Sequence, residues 1–168
     1  TGLSLVGAAL ALAAKESLEN LIASFIIFFD KPFFTGDTIK VNAITGTVER
    51  IGLRSTRIRT GDKTLVTVPN KQMVDSAVDN WSLRTERRAE IKLELSAGTA
   101  ADTLQKLLSE IKSLLAGHSA RISSSTVFIK ELSKNASVIS VEYFTTPIPL
   151  DAFFELKESI NLGIKKIL

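Results

Sequence analysis

Apolar positions fill the first 29 residues almost without interruption and then give way to short alternations. No charged residue occurs from Thr1 to Ala14, where Gly, Ala, Leu, Val and Ser predominate. As a helix this stretch rises roughly 21 Å, short of the roughly 30 Å of bilayer hydrocarbon. The remaining turns are expected upstream of Thr1, which makes the chain a piece of a longer protein. Gly7 and Ala11 lie four apart, as do Ala9 and Ala13. Two such small-residue stripes let helix backbones approach closely in a membrane. The plainer reading is an Ala-rich helix chosen for propensity. The abrupt arrival of charge afterwards favours packing.

Lys15, Glu16 and Ser17 then interrupt the run, and Ser17–Phe29 reads as a second helical piece. Its apolar residues Leu18, Leu21, Ile22, Phe25, Ile26 and Phe29 share a helical stripe, while Glu16, Glu19, Asn20 and Ser24 lie mostly off it. Such an amphipathic segment suits a membrane surface or a partner. The expectation is a spanning piece, a bend at Lys15–Ser17 and a lateral piece ended by Asp30-Lys31-Pro32.

From residue 36 the period changes. Asp37–Val41, Gly46–Ile51, Ser55–Thr60 and Thr64–Val68 are short and rich in Val, Ile and Thr, with turns predicted at 42–45 and 61–63. This spacing predicts a small barrel or strongly bent sheet, with Gly46 and Gly52 at bends or bulges. Asn70 is the expected N-cap of a short helix through Met73 and Val74. Beyond it, Arg88–Ser96 alternates as a strand, and Ala100–Ala116 is an amphipathic helix with Thr99 as cap and Gly117 as stop. Strands at Val127–Leu132 and Val138–Phe144 and a helix from Asp151 complete a β-α-β-β-α order, that of a small α+β sandwich.

The stretches SLENLIASFIIFFDKPFFTGDTIKV, GTVERIGLRSTRIRTGDKTLVTVPN and DNWS stand in uninterrupted order. Over roughly residues 5–83 the chain resembles the small-conductance mechanosensitive channel (MscS-like) family. The resemblance implies a membrane protein core in three parts: a pore-lining transmembrane helix with a bent amphipathic continuation (1–33), a small all-β, Sm-like domain (34–83) and an α+β, ferredoxin-like domain (84–168). It implies a homo-oligomer, a heptamer in the family's usual form, in the cell membrane with residues after about 34 cytoplasmic. Its expected partners are membrane lipid and permeant ions, and its expected function is tension-gated release of ions and small osmolytes on hypoosmotic shock. By the Ser17-Leu18-x-Asn20-Leu21 match, Leu12 takes one constriction position of the pore and Ala8 the other, with Leu5 the next bulky residue. Gly7, Ala9, Ala11 and Ala13 would pack between neighbours. Lys15, Glu16 and Ser17 would form the bend, although Lys15 and Glu16 replace what are often a polar and a small residue.

Composition adds little to this. The 168 residues are 45% hydrophobic and 23% charged with a net charge of +3, and there is no cysteine for a disulfide or a thiolate metal site. The single histidine, His118, follows a predicted helix stop, where a cation is unremarkable. No catalytic or metal constellation is predicted, nor any cofactor, and the scattered carboxylates Asp62, Asp75 and Asp79 sit in polar turns. The alternative is an Sm-like RNA binder, because Arg50, Arg54, Arg57, Arg59, Lys63 and Lys71 fall on the β domain. Its strands carry no Tyr, Trp or Phe for base stacking, and Trp81 stands alone, so nucleic-acid binding is not expected.

Overall fold

The apolar opening of the chain forms one helix, α1 (Gly2–Asp30), in a computed structural model that describes residues 1–168. The two expected pieces are therefore one: Lys15, Glu16 and Ser17 lie inside a continuous helix rather than at a break. Lys and Glu are good helix formers, so charge alone does not end the element. The polar side chains that follow turn back on their own turns, Asn20 Nδ2 donating to the Glu16 carbonyl at 3.0 Å and Ser24 Oγ to that of Leu21 at 2.7 Å. No helix of the chain is long and apolar enough to cross a membrane. Lys31 ends α1 in the left-handed region at φ 48°, its N–H bonded to the Ile27 carbonyl at 3.0 Å.

The chain divides between Leu83 and Arg84 into two units. Besides α1, the first holds β1 (Thr38–Val41), β2 (Ile44–Ile51), β3 (Ser55–Thr60), β4 (Leu65–Pro69), the short helix α2 (Asn70–Asp75), β5 (Val78–Asn80) and a 3₁₀ turn at Trp81–Leu83. The strands form one antiparallel sheet in the order β4-β3-β2-β1-β5. The end strands β4 and β5 do not pair, so hydrogen bonds do not close the expected barrel; α2 follows β4 there and leads into β5. The turn predicted at 42–45 shrinks to Asn42-Ala43, since Asn42 accepts φ 52° and Ile44 already pairs with Val41. The irregularity of β2 falls between Val48 and Arg50 rather than at a glycine. Gly46 instead answers a close approach: a Cβ there would sit 2.8 Å from the Arg59 carbonyl carbon and from Ile58 Cγ2. Ile39, Val41, Val48, Ile58 and Val68 fill the core, joined by Ile27 of α1, Phe33 of the corner and Met73 of α2.

The second unit runs β6 (Arg87–Ser96), α3 (Ala101–Gly117), β7 (Ile122–Leu132), β8 (Ala136–Thr145) and α4 (Leu150–Ile167). Its antiparallel sheet has the order β6-β8-β7. Leu104, Leu107, Ile111 and Leu115 of α3 and Leu156, Ile160 and Ile164 of α4 cover one sheet face that includes Ile139, Val141 and Tyr143. Three local expectations change. Ala100, not Thr99, caps α3, without a side-chain bond. Gly117 belongs to the last turn of α3, and His118 follows as C-cap at φ −101°, so no left-handed glycine is required. Strand β7 begins at Ile122, five residues before the apolar pattern at Val127.

Candidate functional site

The outward stripe of α1 is the apolar one. Leu18, Ile22, Phe25, Ile26 and Phe29 are exposed, while Asn20, Ala23, Ser24 and Ile27, spaced i, i+3, i+4 and i+7, are buried. The helix thus turns its mainly small and polar face toward α2, with Ile27 reaching the core, and its larger apolar residues outward. That is the reverse of an ordinary surface helix.

Asn20 organises the buried face. Only 1% exposed, it spends its amide nitrogen on the Glu16 carbonyl and accepts, through Oδ1, the backbone N–H of Lys71 at 2.9 Å. Lys71 is the second residue of α2, whose first N–H groups lack intrahelical partners. A side chain from α1 therefore caps α2, and the local cap expected of Asn70 does not form. Asn70 is buried inside the first turn of α2. Its Oδ1 accepts from Thr56 Oγ1 at 2.9 Å, its Nδ2 donates to the Gly52 carbonyl at 2.7 Å, and its N–H donates to the Arg54 carbonyl at 2.9 Å.

An ion pair flanks this cap. Lys71 Nζ meets Glu19 Oε2 at 2.7 Å, and Lys15 approaches Glu19 Oε1 at 3.8 Å. The Lys71 ammonium, through its hydrogen bond, holds the Glu19 carboxyl below the usual carboxylate range. Glu19 in turn raises Lys71 above the ordinary lysine value. The sequence pattern marked Glu19 and Asn20 only as interruptions, because their partner Lys71 lies 52 and 51 residues away, respectively.

The remaining predicted positions lie above this joint. Leu12 is 75% and Leu5 74% exposed, and Ala8, Gly7, Ala9, Ala11 and Ala13 are exposed as well, with no partner within the chain. Lys15, Glu16 and Ser17 are exposed one turn before Asn20. Of the six basic residues expected on the β domain, Arg59 of β3 is tied to Glu49 at 2.8 Å and Lys71 of α2 to Glu19. No group of three or more His, Cys, Asp or Glu residues is placed to hold a metal ion.

Residues 16–83, which comprise this joint and the whole sheet, match the family model described as mechanosensitive ion channel, beta-domain. Over 165 residues the chain is 38% identical to the small-conductance mechanosensitive channel MscMJ of Methanocaldococcus jannaschii, covering 98% of the chain and 47% of that protein. The chain belongs to the MscS family. It is also 37% identical over 165 residues to an uncharacterized MscS family protein of Aquifex aeolicus, covering 97% of the chain and 45% of that protein. The chain therefore spans about half the length of these relatives. Among solved structures, the cryo-EM structure of Arabidopsis thaliana MSL1 matches with a TM-score of 0.89 at 23% identity, over 98% of this chain and 60% of that one. The closed-state crystal structure of Helicobacter pylori MscS matches with a TM-score of 0.80 at 22% identity, over 99% of this chain and 66% of that one. At these identities the structural likeness is one of fold.

Proposed function

We propose that this chain is the pore-lining and vestibule part of a mechanosensitive channel of the cell membrane, a ring of identical subunits that passes ions and small osmolytes when membrane tension rises on hypoosmotic shock. The observation that carries the proposal is the reversed face of α1. A helix that buries Asn20 against α2 and leaves Leu5, Leu12, Leu18 and Phe29 uncovered needs lipid or other copies of itself around it. Gly7, Ala9, Ala11 and Ala13 supply the smooth surfaces for helix–helix packing in the ring, a heptamer by family resemblance. Leu12 forms the constriction, with Ala8 a turn above and Leu5 behind it. A short apolar ring blocks ions by favouring dewetting.

In this proposal residues 1–33 form the pore and lateral helix, 34–83 an Sm-like β domain and 84–168 a ferredoxin-like domain, the last two cytoplasmic. Lys15, Glu16 and Ser17 mark where the pore-lining part of α1 passes into the part held by α2, and bending there during gating would proceed from a continuous helix. The family resemblance favours a channel over an enzyme. The test is a patch recording of the full-length protein in liposomes. Stepwise currents that appear with suction are expected; patches that contain the protein yet stay silent up to membrane rupture would sink the proposal.

A further inference from the structure

Arg50 on β2 and Arg57 on β3 stand directly opposite each other in the ladder, where the register shifts between Val48 and Arg50. Like charges set opposite on neighbouring strands repel. Glu49, the only acidic residue of β2, β3 and β4, gives no relief, because both its oxygens accept from Arg59, at 2.8 and 3.0 Å. The ion pairs of the first unit are Lys15–Glu19, Arg59–Glu49 and Lys71–Glu19, and they leave out Arg50, Arg57 and also Arg54 of the turn between the strands.

These three arginines line one notch of about 200 Å³ with Gly52, Leu53 and Ser55. The turn that carries Arg54 is fixed by the fully buried Asn70. Asn70 donates from Nδ2 to the Gly52 carbonyl at 2.7 Å and from its N–H to the Arg54 carbonyl at 2.9 Å. The Gly52 N–H in turn donates to the Ser55 carbonyl at 2.9 Å. The arginines therefore converge from a set backbone, and a ligand that joins them has only side chains left to order.

An anion between the three cations turns their repulsion into attraction. The planar fork of arginine matches the oxygens of a phosphate two at a time, and a phosphate brings up to about two negative charges. Size narrows the ligand further. A notch of about 200 Å³ falls below the roughly 300–1,000 Å³ of sites for organic ligands. It has room for a small oxyanion and none for a nucleoside beside it.

We propose that the Arg50–Arg54–Arg57 notch binds a small phosphate-type oxyanion from the surrounding solution, which bridges β2, β3 and the turn between them. The proposal does not rest on the channel reading.

The test titrates sodium phosphate into the full-length protein in detergent at constant ionic strength, follows the heat of binding, and records melting midpoints in phosphate and in chloride. Saturable binding is expected, with a midpoint higher in phosphate by about 2 °C or more once the site is filled. R50Q, R54Q and R57Q should each weaken binding about tenfold, and the triple variant should bind no phosphate. All three side chains are exposed. In chloride the triple variant should melt at or above the wild type, because the repulsion across the ladder is gone; in phosphate the order should reverse. The variant K112Q/K134Q/K166Q removes the same charge from exposed sites of the second unit and should keep phosphate binding. Absence of saturable binding in the wild type, survival of binding in the triple variant, or an equal loss in the lysine variant overturns the proposal. A triple variant that melts lower than the wild type in both salts would mean that the arginines serve the fold or a carboxylate of another copy. A short-chain phosphatidylglycerol that displaces phosphate at about a hundredfold lower concentration would make a lipid headgroup the occupant. Either result overturns the proposal as well.

Discussion

Asn20 on α1 caps α2 by accepting the Lys71 N–H at 2.9 Å across 51 residues of chain. Helix α2 has only six residues, too few to persist on local bonds alone. Removing the cap strands a buried donor, which costs about 1–3 kcal/mol. Asn20→Ala should therefore raise amide exchange at Lys71 and along α2 by about tenfold or more, while the second unit exchanges as before. Unchanged protection at Lys71 would mean that another group caps α2.

The Glu19–Lys71 pair sets how this joint answers to pH and salt. Glu19 has a lowered pKa, so its contribution is present above the usual carboxylate value and is lost only as pH falls through the lowered one. Lys71 has a raised pKa, so its contribution is present below the usual lysine value and is lost as pH rises through the raised one. Both effects leave the neutral range flat. Protection of α2 should stay constant between about pH 6 and 9 and fall with added salt, since the pair is exposed and screened. Glu19→Gln should abolish the salt dependence. A steep pH response near neutrality would contradict this assignment.

How much of this was legible in the sequence differs from element to element. The helical stripe of Leu18, Ile22, Phe25 and Phe29 was plain, but periodicity says which residues share a face and not which face meets protein. The decision lay with Asn20 and Lys71, whose proximity depends on the sheet that separates them. Asn70 looked like a local cap because its type and position were right; its side chain is instead committed to Thr56 and Gly52, which only the fold brings near. The start of β7 was hidden because Ser123–Thr126 are exposed and polar, and strand signals weaken where no residue faces the core. The charged interruption at Lys15–Ser17 suggested a break, yet those residue types carry a helix without strain. The chain's corner, short strands and hairpin turns were readable because proline, glycine and β-branched residues act locally.

Gly46 should be irreplaceable. It lies on β2 opposite Ile39 and Thr60, and a methyl group there would collide with the Arg59 backbone, which cannot step aside without breaking the β2–β3 ladder. Overpacking of this kind costs about 1–3 kcal/mol and more when backbone must move. Gly46→Ala should lower the melting midpoint of the full-length protein markedly or prevent its accumulation. A variant that melts within a degree of the wild type would show that the strands separate easily.

Tyr143 invites the opposite experiment. Its ring is fully buried on β8, its hydroxyl has no hydrogen-bond partner in the protein, and burial pushes its pKa up. A buried hydroxyl without a partner carries a desolvation cost of about 1–3 kcal/mol. Tyr143→Phe keeps the packing and removes that cost, so stability to denaturant should stay level or rise by up to about 1 kcal/mol. A clear loss of stability would reveal that the hydroxyl is bonded.

Leu12 carries the sharpest functional prediction. If it forms the constriction, its side chain meets copies of itself across a narrow pore, and the ring holds ions back because an apolar throat favours loss of water that ions shed reluctantly. Ala8 adds little bulk one turn above, so Leu12 acts almost alone, with Leu5 two turns away. Leu12→Ser should wet the ring, lower the tension needed for opening and slow the growth of cells that express the full-length channel. If Leu12 instead packs between helices, as the neighbouring Gly7, Ala9, Ala11 and Ala13 are proposed to do, the same change should reduce assembled protein without easing opening. Recording threshold tension and assembly yield together separates the two. Channels that assemble fully and open at unchanged tension would move the constriction to Leu5 or Ala8, where the matching substitutions are the next to record.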